Sequence, residues 1–256
     1  MTNFREQSKK NGENIPPVIL MATNFTKPTA DKPALLNYEE VSTLYHEFGH
    51  ALHGLFSDCT YETISGTAVS RDFVELPSQI MENWAGEPEV MKTYAFHYQT
   101  GEVIPQNLMD KMKNSKHFNQ GFTTVEYLSA SYLDMDWHIL KTAELQNAIS
   151  FENASMQRIG LIPEIVVRYR TPYFSHIFAG GYSAGYYAYI WAEILDADAF
   201  EAFTKKGIFD PATALAFRKN ILEKGGTEDP MKLYIQFRGQ EPDINALLKR
   251  RGLITE

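Results

Sequence analysis

The chain has 256 residues, enough for one large domain or two small ones, and 44% of them are hydrophobic, enough to bury a real core. A net charge of −8, with 32 acidic and 24 basic side chains interspersed, leaves no basic stripe for a phosphate backbone and argues against nucleic acid as a partner. The single cysteine, Cys59, can close no intrachain disulfide and has no second thiol with which to hold a metal, so a reducing, cytoplasmic setting is expected.

The opening MTNFREQSKKNGEN carries no apolar signal-like run, and no later stretch approaches the ~18 apolar residues of a membrane span, so no membrane partner is expected. Residues 4–14 are polar and unpatterned and lead straight into a strand-like run, which reads as the middle of a domain. Residues 17–25, PVILMATNF, are short, apolar and β-branched between prolines, and predict a strand. From Asn37 the apolar residues Val41, Leu44, Phe48, Leu52 and Leu55 fall at helical spacing, with Asn37 and Glu40 placed as a cap and its return partner. A helix of about five turns is expected there.

Residues 61–71, polar and without a helical stripe, predict a loop or hairpin, and Pro77 suits the first turn of a helix running to residue 84. Further helices are expected over 88–98, 105–115, 122–147, 151–160, 184–203, 211–223, 230–237 and 244–250. The balance is mainly α, with a small β-sheet near the amino-terminal end.

One motif carries chemistry. His46-Glu47-Phe48-Gly49-His50 places two imidazoles four residues apart, which on a helix is one turn, so both can converge on one ion. At about 100° per residue the stripe of Leu44, Phe48, Leu52 and Leu55 lies opposite the two histidines, so the metal face is expected to oppose the core face. Glu47 projects beside the metal, where a general base takes a proton from the attacking water.

A catalytic zinc needs three protein ligands and an open position. The metzincin pattern would supply a third histidine, but His53 stands where its glycine belongs and Phe56 where its histidine belongs. That class is excluded. A glutamate from a following helix remains, and Glu75, at the head of DFVELPSQIMENW, is the best candidate; its plain alternative is an acid favoured by the helix dipole. Glu82, seven residues on and on the same helical face, is placed to orient a ligand imidazole, the alternative being a solvated carboxylate.

The segments HEFGHALHGLF, GTAVSRDFVELPSQIMENW and RYRTPYFSHIFAGGYSAGYYAYIWAEILDADAF together resemble the thimet oligopeptidase family of zinc metallopeptidases, most closely its bacterial peptidyl-dipeptidase (dipeptidyl carboxypeptidase) branch. The resemblance runs through the whole chain. It implies a zincin-like (gluzincin), multihelical catalytic domain binding one Zn2+ through His46, His50 and Glu75, with Glu47 as base. It also implies that His176, Tyr182 and Tyr189, in a substrate loop over 176–189, touch the scissile carbonyl and backbone. The His176-to-Tyr182 spacing resembles that of the peptidyl-dipeptidases, the endo-acting oligopeptidases of the same family having one residue fewer there, so the resemblance implies release of carboxy-terminal dipeptides from short peptides rather than internal cleavage.

Family members are much longer, so the chain matches their carboxy-terminal catalytic part: a strand-containing lead-in over 1–36, metal-binding helices over 37–86 and a helical remainder over 87–256, read as one domain. The missing amino-terminal half, or another chain, is expected to cover the open channel face. A truncated, inactive remnant that binds only zinc or a partner half is the reading from another class. Tyr187 and Trp191 read as core aromatics, Tyr186 is left open, and His97, His117 and His138 carry no assigned role.

Overall fold

In the computed structural model, which describes residues 1–10 and 12–255, helix dominates: eleven α-helices are found among the described residues, and two two-stranded sheets occupy the first twenty. The chain divides into two compact units, one built from Met1–Asn114 with Ala192–Glu256, the other from Ser115–Trp191.

In the first unit, β1 (Thr2–Arg5) pairs antiparallel with β4 (Val18–Leu20), and β2 (Ser8–Lys10) pairs antiparallel with β3 (Glu13–Ile15). Described residues of the stretch 4–14 therefore form strands although the sequence there carries no pattern, while the strand expected over 17–25 shrinks to three residues. The described side chains of these strands are mostly exposed, so no in-out alternation was required of the sequence. The buried Gln7 ties this end to the loop after the first long helix: its Nε2 donates to the Cys59 carbonyl at 3.0 Å and its Oε1 accepts from the Cys59 amide at 2.7 Å.

That helix, α1 (Tyr38–Leu55), opens on a complete capping box between Asn37 and Glu40 and runs 18 residues. α2 (Leu76–Ala85) carries Pro77 in its first turn, where the missing N–H costs nothing. The two helices meet at Gly49, where a Cβ would stand 2.2 Å from the Pro77 carbonyl oxygen and 2.6 Å from the Ser78 Cα.

This contact overturns the expected orientation of α1. Leu44, Phe48 and Leu55 are 37%, 44% and 47% exposed, whereas Gly49, Ala51, His53 and Gly54 are buried. The face that carries the histidines is turned inward, because small residues beside them let α2 approach to backbone contact, a closeness that the leucine stripe cannot offer.

Beyond α2 come α3 (Pro88–Tyr94) and α4 (Gln106–Ser115). The later part of the unit adds α8 (Ala188–Lys206) from Ala192 onward, α9 (Pro211–Phe217) continued by a π-helical turn over Arg218–Leu222, α10 (Pro230–Arg238) and α11 (Ile244–Arg250). Trp84 of α2 sits edge-on to Phe200 and Phe203 of α8 at 4.8 and 4.9 Å, joining the two sequence segments in one core.

The second unit holds α5 (Gln120–His138), α6 (Ala148–Arg158) and the short α7 (Ser175–Phe178) around Ala130, Leu133, Met156, Phe174, Ile177 and Tyr186. The helix expected over 122–147 stops at His138. Leu140 and Leu145 are exposed, so no burial holds that stretch helical, and Asn147 instead caps α6 by accepting from the Ser150 amide. The helix expected from residue 184 starts at Ala188, because Ala184 sits at φ +51°. Among the described residues no helix is long and apolar enough to cross a membrane.

Candidate active site

His46 and His50 lie on consecutive turns of α1, their rings 4.9 Å apart and nearly perpendicular. Glu75 stands at the N-cap of α2, 3% exposed, with its Oε2 at 3.3 Å from His46 Nε2 and 3.2 Å from His50 Nε2. Ser78 Oγ donates to that same Oε2 at 2.9 Å and so fixes the carboxylate. Gly49 is what allows this meeting, since it stands between the two histidines at the point where α1 and α2 touch.

Donors bound at about 2.0–2.1 Å around a tetrahedral ion stand about 3.3–3.4 Å apart. The two N–O spacings match that edge, and all three donor atoms lie within 4.8 Å of one another. Two imidazoles and one buried carboxylate are also a donor set that suits a divalent ion of intermediate softness. The residues therefore fit a metal.

Around the triad, His46 Nδ1 meets Glu82 Oε1 at 2.7 Å, and Ser42 Oγ reaches the other Glu82 oxygen at 3.4 Å. This contact puts the proton on Nδ1 and leaves Nε2 turned toward Glu75. Burial works against a charged His46, but the Glu75 and Glu82 carboxylates outweigh it and raise its pKa to about 10. Burial likewise opposes ionisation of Glu75, and the hydrogen bonds from His46 and His50 reverse that and hold its carboxyl well below the usual range. His53, one turn beyond His50, is fully buried with both ring nitrogens unpaired among the described residues; burial first, and His50 second, push it down to about 3 and keep it neutral.

Glu47 follows His46 directly in α1 but is not one of the three grouped donors, and its carboxylate meets the Met1 amino group.

The tyrosine loop belongs to the second unit. There Tyr182 stacks on Tyr189 with centroids 5.2 Å apart, and His176 lies edge-on to Tyr182 at 6.2 Å and to Tyr186 at 5.7 Å. Tyr182 and Tyr186 are buried, and Tyr186 belongs to the core. Tyr187, read as a core aromatic, is 44% exposed, and Trp191 is half-buried. The structure thus assembles His46, His50, Glu75, Glu82 and Glu47 in one unit, and His176, Tyr182 and Tyr189 in the other.

Comparison with known proteins supplies the family. The profile of peptidase family M3 matches residues 1–253. The chain belongs to peptidase family M3. Within family M3 it is similar to dipeptidyl carboxypeptidase of Escherichia coli, with 48% identity over 99% of this chain and 37% of that protein. It is similar to oligopeptidase A of the same organism, with 40% identity over 97% of this chain and 37% of the relative, and to saccharolysin of Saccharomyces cerevisiae, with 34% identity over 93% and 34%. The chain spans about a third of the length of these M3 relatives.

Sequence reasoning passed over two residues on which the M3 site leans. Gly49 carries no role in the motif as read from the sequence, although a glycine between two ligands is itself a signal of close helix approach. Ser42, one turn before His46, gave no signal that set it apart from any other helical serine.

Proposed function

We propose that this chain is a zinc-dependent peptidase acting on short peptides, and that it releases carboxy-terminal dipeptides. The convergence of His46, His50 and Glu75, with Glu47 next to His46 in the helix, supports the reading. Zinc is favoured by the two-imidazole, one-carboxylate donor set, at one ion per chain.

When bound, the ion would supply Lewis acidity, lowering the pKa of water and polarising the scissile carbonyl. His46 and His50 would hold it through Nε2 and Glu75 through Oε2, and Glu82 keeps the His46 ring in the required tautomer. The Glu47 carboxylate takes a proton from the attacking water and delivers it to the departing amine nitrogen, so the peptide C–N bond breaks without releasing a free amide anion. Tyr182 and Tyr189 would donate O–H groups to the oxygen that gains negative charge, with His176 as a further donor. A cytoplasmic location belongs to the same proposal and is supported by Cys59, a buried free thiol.

Metal content and turnover measured on one preparation test this reading, with Glu47→Gln as the control. The variant is expected to keep its metal and lose ~100-fold or more in kcat, the usual contribution of a general base. Full turnover by that variant would end the assignment of Glu47.

The 40% identity to oligopeptidase A supports a second reading, internal cleavage of oligopeptides. A carboxy-terminally amidated peptide separates the two, since only an enzyme that needs a free terminal carboxylate fails on it. Full metal occupancy with no turnover on either peptide would favour a chain that only binds metal or a partner.

A further inference from the structure

The glycine-rich turn that carries Tyr182 is held from α5 by one buried carboxylate. Asp134 is 1% exposed; its Oδ1 accepts from the Ala184 amide at 2.9 Å and its Oδ2 from the Tyr186 amide at 2.8 Å. His138 Nδ1 lies 2.8 Å from the same Oδ1. The two amides flank Gly185, and the turn they belong to is costly to hold. Ala184 sits at φ +51° and Gly181 at φ +79°, and an alanine held in the left-handed region is strained, because its Cβ crowds the following carbonyl oxygen.

Other bonds of the turn run within it or to the residues just before it, among them Tyr182 N to His176 O at 3.0 Å, Ser183 Oγ to Ile177 O at 2.6 Å, and Gly185 N to Tyr182 O at 2.8 Å. Tyr127 adds an acceptor contact, its O–H donating to the Tyr186 carbonyl at 2.5 Å. Asp134 differs from all of these in binding both sides of Gly185 with a full charge in a dry setting, where a charge-assisted bond is about twice as strong as a neutral one.

We propose that Asp134 is a positioning residue that fixes this turn in the conformation that presents Tyr182 and, stacked on it, Tyr189. The inference rests on the reading that these tyrosines meet substrate. Asp134 itself touches no reacting atom. Asn in its place keeps the shape and one acceptor but turns an N–H2 toward a backbone N–H, so one of the two anchors is lost.

The experiment compares the metal-loaded chain with Asp134→Asn, Tyr182→Phe and the double variant, by hydrogen exchange and by kinetics on an N-acetylated tetra-alanine peptide. In Asp134→Asn, exchange over 180–189 is expected to rise ~10-fold or more while peptides of α1, α2 and α6 stay protected and bound metal stays constant. kcat is expected to fall ~10-fold or more with KM changed by less than ~3-fold, and the loss in the double variant to fall short of the product of the two single losses, because Asp134 acts in part through the Tyr182 hydroxyl that the second change removes. Unchanged exchange over 180–189, an equal rise across α6, or fully additive losses in the double variant would each overturn the proposal. If Tyr182→Phe alone leaves turnover intact, the substrate-facing reading of the loop fails, and the exchange result still decides whether Asp134 sets the turn.

Discussion

His46 sits between two carboxylates, one at each ring nitrogen, and they do different work. Glu75 stands where an ion would share its oxygen with two imidazoles, whereas Glu82 lies behind the ring, 2.7 Å from Nδ1, and sets which nitrogen keeps the proton. A negative partner at Nδ1–H also makes the opposite nitrogen a better electron donor. Glu82→Gln preserves length and an acceptor oxygen but removes the charge, so metal affinity is expected to fall ~10- to 100-fold, the usual cost of losing such a partner. Competition against a chromophoric chelator measures this directly, and an affinity within threefold of the parent would reduce Glu82 to a solvated acid. The spacing of seven residues between Glu75 and Glu82 made their shared face readable in the sequence. Ser42, the third member of that contact, was not readable, because a serine earns its partner only from the helix packed against it.

The element that organises the site is the α1–α2 pair, and its contact is backbone to backbone. Gly49→Ala would push a Cβ to within 2.2 Å of the Pro77 carbonyl, and neither backbone can swing away as a side-chain tip would. Forced overpacking of this kind costs typically about 1–3 kcal/mol. Because Glu75 lies two residues before Pro77 and His50 directly follows Gly49, the displacement must also widen the donor triad. Lower melting temperature together with weaker zinc binding is therefore the expected outcome for Gly49→Ala. Leu44→Ala, on the exposed face of the same helix, is expected to stay within about 0.5 kcal/mol of the parent and to leave metal binding unchanged. If Gly49→Ala left zinc binding intact, or Leu44→Ala destabilised as a core substitution does, the inward orientation of the histidine face would be wrong. Local signals at this scale were legible where chemistry is local: the Asn37 and Glu40 capping box, Pro77 in a first turn, the motif spacing. Which face of α1 is buried was not legible, since the apolar stripe pointed the other way and the decisive residue was a glycine. The end of α5 and the start of α8 were hidden for a similar reason, one depending on an absent apolar contact and the other on a left-handed alanine.

At the scale of the whole molecule, the first unit is built from two distant stretches of chain, and buried ion pairs in its later stretch tie the closing helices together and back to α2. Arg250 of α11 donates to Asp196 of α8 at 2.9 Å and to Asn83 of α2 at 3.3 Å, next to Glu82. Asp198 of α8 receives both Nε and Nη2 of Arg238 at 2.8 Å and the Tyr234 hydroxyl at 2.5 Å, both from α10. Pairings across more than thirty residues have no local signature, which is why charge content alone gave no hint of them. Burial opposes ionisation of Asp198, yet the hydrogen bonds from Arg238 and Tyr234 prevail and hold its carboxyl below the ordinary value. A carboxyl with a depressed folded pKa contributes its full stability above its unfolded value of ~4 and loses it as pH falls through the folded value. Asp198→Asn leaves the half-buried Arg238 without its counter-charge, so it is expected to cost about 1.5–3 kcal/mol at neutral pH, the usual worth of hydrogen bonds to a charged group. The gap between parent and variant should stay level from about pH 8 to pH 5 and close below about pH 4, where the parent's own carboxyl takes up a proton. Urea denaturation of both proteins across that range reads the difference and cancels the titration of every other acid they share. A gap that persisted undiminished at pH 3, or that opened on acidification, would mean that the Asp198 charge is not what binds α8 to α10.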